Sequence, residues 1–200
     1  LKLGIFGGAF NPVHNGHINL AEKYIDLLDL DLLCVIPTGN PPHRTCRDFA
    51  PAQARFAMLK AAFSGNQKVL VSDLEFRRSG KSYTYDTVQI LKKEYPAAQL
   101  FLIVGEDQFL KFEAWYRYSD ILANVTLCTA AREENARKRL LDFSKSHFSG
   151  SRVYIADFEP VVVSSSEIRD KIKKNYDISG LVPACVLDYI KEKGLYVDGF

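Results

Sequence analysis

Short, strongly apolar runs alternate with amphipathic segments along this 200-residue chain, and no other property of the sequence restricts its fold so tightly. Leu32-Leu33-Cys34-Val35-Ile36 is apolar at every position and ends at Pro37, the pattern of a strand buried on both faces. Leu3 to Phe6, Val69 to Val71, Leu100 to Val104, Val125 to Cys128 and Val153 to Ile155 read as further strands. Between them Ile18, Ala21, Ile25 and Leu28 recur at helical spacing, and residues 53–63, 87–95 and about 133–143 read as helices. Near the end, Ser164-x-x-Glu167 fits a capping box, Pro183 suits a first helical position and Gly194 a helix stop. The alternation predicts an α/β fold: a Rossmann-like, doubly wound parallel sheet covered on both faces, with a helical C-terminal segment over about 164–200. Right-handed crossovers then carry the loops that leave the strands to one edge. No repeat, low-complexity tract or linker divides residues 1–200, so a single domain is expected.

Lys and Arg number 26 against 24 Asp and Glu, a net charge of +2. So small an excess indicates no dedicated binder of nucleic acid or anionic membrane, yet it leaves room for a few cations in one cleft. No apolar stretch approaches the roughly 20 residues of a membrane span. The opening Leu1-Lys2-Leu3-Gly4-Ile5-Phe6 is too short for a signal peptide. Cys34, Cys46, Cys128 and Cys185 form no C-x-x-C pair and no cluster of zinc spacing. They read as small thiols in a reducing compartment, and the chain as soluble and cytoplasmic; a homo-oligomer is compatible with the sequence.

The first strand leads into Gly7-Gly8-Ala9-Phe10-Asn11-Pro12-Val13-His14-Asn15-Gly16-His17 and then a helix. Taken alone, a glycine pair after a strand is often a tight turn, and single histidines are usually surface or core residues. The alternative is an anion site. The glycines let the backbone approach a ligand, Pro12 stiffens the loop, and the helix start offers unpaired N–H groups and the positive end of its dipole. Two histidines three residues apart can aim ring donors at one phosphate, which would favour their protonated form. Neither a Walker A loop nor G-x-G-x-x-G is present, and no further ligands make His14 and His17 a zinc site; no protein-held metal is expected.

Gly-Gly-x-Phe-x-Pro-x-His-x-Gly-His over residues 7–17 resembles the signature of the H-x-G-H nucleotidylyltransferase superfamily, in the form carried by bacterial nicotinate-nucleotide adenylyltransferases. The resemblance continues through nearly the whole chain. Pro37-Thr38-Gly39-Asn40-Pro41-Pro42-His43-Arg44 is similar to the P-x-x-x-P-P-H-[KR] loop, and Ala50-Pro51 through Arg55 to Met58-Leu59 extends it. Leu74-Glu75 with Ser82-Tyr83-Thr84-Tyr85-Asp86-Thr87 resembles E-x-x-R-x-G-x-S-Y-T-x-D-T. Gly105-Glu106-Asp107 with Trp115 matches G-x-D…W, Val163-Ser164-Ser165-Ser166-Glu167-Ile168-Arg169 matches I-S-S-[ST]-x-I-R, and Val186 to Tyr196 fits V-x-x-Y-I-x-x-x-x-L-Y.

The resemblance implies an enzyme of NAD biosynthesis that joins nicotinate mononucleotide to ATP, giving the dinucleotide and pyrophosphate by direct in-line attack. The nucleophile is already a phosphate oxyanion, so the work is aligning two anions and neutralising charge. By resemblance His14, His17 and Arg169 are catalytic, and Gly7, Gly8, Phe10, Gly105, Asp107 and Ser165 join them in binding ATP, with Mg²⁺ carried by the triphosphate. His43, Arg44, Thr84, Trp115 and the backbone near Tyr116 would receive the mononucleotide. Plain alternatives stand beside these roles: helix capping for Asp107 and Ser164, a solvated surface arginine for Arg169, a core position for Trp115. Glu106 departs from the small residue usual there and would set a carboxylate near the nucleotide edge, while Ala131-Arg132-Glu133-Glu134 lacks the R-P-G-Y run, weakening any adenine-side role for Arg132. Rival readings are a pantetheine-phosphate adenylyltransferase, whose first turn carries threonine in place of His14, a preference for the nicotinamide nucleotide, and a nucleotide-binding regulator without turnover.

Overall fold

A computed structural model describes residues 1–39, 49–78, 80–131, 136–158 and 161–197. Six parallel strands form one sheet in the order β3-β2-β1-β4-β5-β6. They are β1 (Lys2–Gly8), β2 (Leu32–Pro37), β3 (Val69–Val71), β4 (Gln99–Ile103), β5 (Val125–Ala130) and β6 (Val153–Ala156). The order reverses between β1 and β4, as in a doubly wound sheet, and ligands of such sheets bind beyond the strand ends at that reversal. The long helices are α1 (Asn15–Leu27), α2 (Ala52–Ala62), α3 (Thr84–Glu94), α6 (Ala136–His147), α7 (Ser165–Lys173) and α8 (Ala184–Lys193). The sequence-based expectation of fold class therefore holds.

Alternation along the strands builds two cores. Leu33 and Val35 of β2 face one cluster with Tyr24 and Ile25 of α1, Met58 and Leu59 of α2, Ile168 of α7 and Val186 and Ile190 of α8. Cys34 and Ile36 face the other, with Val88 and Leu91 of α3 and Leu140 of α6. A strand covered on both sides has no solvent face, which is why β2 reads as an unbroken apolar run.

Local structure departs from the sequence reading at several places. Helix α3 begins at Thr84, three residues earlier than the periodicity predicts, because the Tyr83 carbonyl already accepts from the Asp86 and Thr87 amides. The connection from β4 to β5, left without helices by the sequence reading, holds α4 (Glu106–Phe109), a 3₁₀ turn (Phe112–Ala114) and α5 (Tyr118–Asn124). These pieces are too short to show a 3.6-residue period. Ser164 occupies the N-cap of α7 but makes no side-chain capping bond, and Pro183 is the N-cap of α8 rather than its first residue. Gly194 ends α8 with left-handed backbone (φ 58°), as its position implies. His43, Arg44, Cys46 and Arg132 lie outside the described residues.

Candidate functional site

The histidines sit where β1 hands the chain to α1. His14 is the N-cap of α1; its Nδ1 accepts from the His17 amide, and Nδ1 of His17 accepts from the His14 amide, both at 3.3 Å. The pair thus forms a reciprocal capping box from residues not usually found in one. Their rings stack with centroids 3.6 Å apart. The Phe10 ring meets that of His17 edge-on at 4.9 Å, and Phe6 lies 6.1 Å away.

In the chain by itself this geometry favours neutral imidazoles. Both Nδ1 atoms are acceptors, so each neutral ring carries its proton on Nε2. Burial lowers the His14 pKa to about 4. His17, enclosed by three rings though half-buried as a residue, is held well below its ordinary value by burial first and by the His14 ring second. The rings are therefore neutral Nε2–H donors, and positive potential at this turn comes from the α1 terminus.

Phe10 is 1 % exposed, so its ring supports His17 and leaves only backbone for a ligand. Its backbone is left-handed (φ 46°), a strained conformation for an aromatic residue that the packed ring holds in place. Gly7 is exposed and Gly8 half-buried at the open edge. Gly16 is required by close approach: a Cβ there would lie 2.6 Å from the Val161 carbonyl.

The tip of α7 reaches the same turn. Ser165 Oγ donates to the Pro12 carbonyl at 3.0 Å, and Arg169 Nη1 donates to the Asn11 carbonyl at 2.8 Å. Arg169 is thus no free-standing surface arginine; a residue 158 positions away in sequence holds it beside the histidine cap. Asn11 itself is 1 % exposed and uses Oδ1 to accept from the Ala50 amide and the Tyr196 hydroxyl, each at 2.9 Å.

Arg55, also 1 % exposed, ties three segments. It donates to Ala9 O (2.8 Å) in the glycine turn, Thr38 O (2.9 Å) beyond β2 and Ala50 O (3.2 Å) before α2. Its guanidinium lies 4.4 Å from the Phe49 ring centre. Sequence reasoning assigned no role to Asn11, Arg55 or Tyr196. A buried side chain bonded to distant backbone has no local spacing to betray it.

Gly105 and Asp107 follow β4, on the far side of the strand reversal. Gly105, not Asp107, is the N-cap of α4, and Asp107 stands exposed in its first turn. Glu106, in the first turn of α4 beyond β4, is 6 % exposed and paired with Arg139 of α6. Thr84 opens α3, half-buried. Exposed Tyr116 packs on Tyr83 at 4.6 Å, and Arg117 lies over Tyr85 at 4.0 Å, so the starts of α3 and α5 share an aromatic wall. Trp115 is half-buried against Phe112 at 4.8 Å, a position compatible with both core packing and a partly open face.

The Glu75 carboxylate accepts from the Gly39 amide (3.3 Å) and the Thr87 hydroxyl (3.0 Å), linking the β2 exit to α3. Among the described residues no three of His, Cys, Asp and Glu gather as a metal cage, and no helix is long and apolar enough to cross a membrane. Cys34, Cys128 and Cys185 are free; burial raises the Cys34 thiol to about 11 and that of Cys128 further.

Residues 5–171 match the Cytidylyltransferase-like family. The chain is 36% identical over 199 residues to a protein of Clostridium acetobutylicum, covering 98% of this chain and 99% of that one. It is 40% identical over 188 residues to one of Thermotoga maritima, covering 91% and 87%. Both are named as probable nicotinate-nucleotide adenylyltransferases. Among solved structures, the Plasmodium falciparum nicotinic acid mononucleotide adenylyltransferase complexed with NaAD superposes with a TM-score of 0.82 at 19% identity, over 98% of this chain and 97% of that one. That likeness is one of fold.

Proposed function

This chain belongs to the Cytidylyltransferase-like family and, within it, to the nicotinate-nucleotide adenylyltransferases; it is a nucleotidyltransferase of NAD biosynthesis, and we propose that it moves the adenylyl group of ATP to nicotinate mononucleotide by direct in-line attack at the first turn. A phosphate oxygen of the mononucleotide attacks the α-phosphorus of ATP while the bond to the bridging oxygen of the β-phosphate breaks. Pyrophosphate leaves with the electron pair of that bond. No proton has to be removed from the nucleophile, and no covalent enzyme intermediate is needed.

The observation that carries this reading is the meeting of Ser165 and Arg169 with the Pro12 and Asn11 carbonyls, one turn from the stacked histidines. In this reading Nε2–H of His14 and His17 donate to the phosphates, with His17 taking the charge that grows at the α-phosphate during transfer. Arg169, Ser165 and the starts of α1 and α7 receive the β- and γ-phosphates. Neutral donors supply direction, and the guanidinium and helix dipoles supply charge. Gly7 and Gly8 admit the chain of phosphates at the backbone, with Phe10 fixing the His17 ring. Gly105 permits close approach of the ATP ribose, whose hydroxyls Asp107 accepts. Magnesium enters as part of the substrate, on triphosphate oxygens and water.

The acceptor lies toward the aromatic wall. Trp115 offers a stacking face for the pyridine ring, while Thr84 and the backbone at Tyr116 donate to its carboxylate. His43 and Arg44 belong to the same proposal as partners of the mononucleotide phosphate. The free cysteines suit a cytoplasmic enzyme. The test is pyrophosphate release from MgATP with nicotinate mononucleotide, nicotinamide mononucleotide and phosphopantetheine compared side by side. Release is expected to be fastest with the first; equal or faster release with phosphopantetheine would reject the reading.

A further inference from the structure

The chain beyond α8 returns to the first turn at a cost in backbone conformation. Gly194 and Tyr196 both adopt left-handed backbone, φ 58° and 66°. For glycine this is free of steric penalty; for tyrosine it is strained. The conformation seats the Tyr196 ring in the core, and the hydroxyl of this residue, 9 % exposed, donates to Asn11 Oδ1 at 2.9 Å across 185 positions of sequence.

Asn11 gathers three segments. Its Oδ1 accepts from Tyr196 and from the Ala50 amide, and its carbonyl accepts from Arg169 Nη1. Side chain and carbonyl belong to one short, buried residue, so holding Oδ1 at two donors also fixes the direction of the carbonyl that orients the guanidinium.

We infer that Tyr196 is a positioning residue for the triphosphate end of the site, acting through Asn11 on Arg169. The inference rests on the reading that places ATP phosphates at Arg169. Tyr196 touches no substrate in this account. It sets the aim of the arginine and of the peptide one residue before Pro12, and with them the entry to the histidine cap. The aromatic wall proposed for the pyridine ring is built from other residues, on α3 and at the start of α5.

Tyr196→Phe keeps the ring in the core and deletes only the donor. Net loss of one buried hydrogen bond corresponds to roughly a 3- to 10-fold change. The expected result is that kcat/KM for ATP falls by about that factor. The KM for nicotinate mononucleotide should stay within about 2-fold, since its pyridine ring is assigned to the wall on α3 and α5, which is made of other residues. Ile190→Val serves as control, since it thins the packing of α8 and leaves the hydroxyl bond in place; its ATP kinetics should match the parent. The inference is overturned by unchanged ATP kinetics in Tyr196→Phe, by the same loss in Ile190→Val, or by equal losses for both substrates. Collapse of the fold in Tyr196→Phe would assign the hydroxyl to stability and overturn it too. Equilibrium binding of MgATP to the parent and to Tyr196→Phe separates this inference from the function it rests on. A parent that binds MgATP yet releases no pyrophosphate refutes the function alone, and tight binding retained in Tyr196→Phe refutes the positioning role.

Discussion

A fully buried arginine that meets backbone carbonyls is a device for joining loops, and Arg55 shows how much one side chain can carry. Its three acceptors belong to the glycine turn, the β2 exit and the approach to α2. Lysine would keep the charge but offer a point donor in place of a planar fork. Arg55→Lys is expected to destabilise the fold by about 2–4 kcal/mol, because carbonyls are left without donors inside the protein. Urea unfolding measures it, and a midpoint equal to the parent's would show that the fork is dispensable. His17 is the complementary case, a capping residue for which the proposed function adds a chemical role. Its replacement by alanine should lower turnover about 100-fold or more, as loss of a preorganised donor does, with the sheet intact by circular dichroism. Near-parental turnover would remove His17 from the chemistry. The histidines were legible in the sequence because glycines and a proline crowd around them within eleven residues. Arg55, Asn11 and Tyr196 were not, because their partners lie up to 185 positions away.

Among the elements, α1 is unusual in being capped at its N-terminus by imidazoles. The bonds are made to Nδ1 of His14 and of His17, so the cap exists only while both rings are neutral. The unfolded chain takes up a proton on His14 near pH 6.5, whereas the folded one does so only near 4. A pKa depressed on folding means that the unfolded state binds more protons between those values. Stability is then complete above about pH 7 and falls as pH drops from 6.5 toward 4, by on the order of 3 kcal/mol from His14 alone. His17, depressed in the same direction, adds to the loss. Asparagine caps helices without titrating, so His14→Asn should flatten the dependence of the urea midpoint on pH between 5 and 7.5. Identical slopes in parent and variant would mean that the imidazole cap does not couple to protons. The strands and long helices could be read from hydrophobic period alone, whereas α4, the 3₁₀ turn and α5 could not. Those three are held by contacts such as Phe109 and Phe112 entering the core, which leave no repeat in the sequence.

At the scale of the whole molecule, the reversal of strand order between β1 and β4 divides the open edge into two unequal halves. One is polar and backbone-rich: the glycine turn, the histidine cap and the tip of α7. The other is aromatic, with Tyr83, Tyr85 and Tyr116 packed together and Trp115 close by on Phe112. Polyphosphate suits the first kind of surface and a flat heteroaromatic ring the second, so in the proposed function the two substrates are sorted by chemistry before they are aligned. That division makes Trp115 decisive. If its ring serves the acceptor, Trp115→Ala should raise the KM for nicotinate mononucleotide about 10-fold, the scale of a lost aromatic contact, while the KM for ATP changes by less than about 3-fold because sites that share no partners respond independently. A tryptophan that merely fills the core would loosen the β4–β5 connection, which also carries Gly105 and Asp107, and would weaken both substrates alike. Initial-rate measurements with each substrate varied in turn distinguish the two, and equal shifts would return Trp115 to the core and leave the aromatic wall without its stacking face.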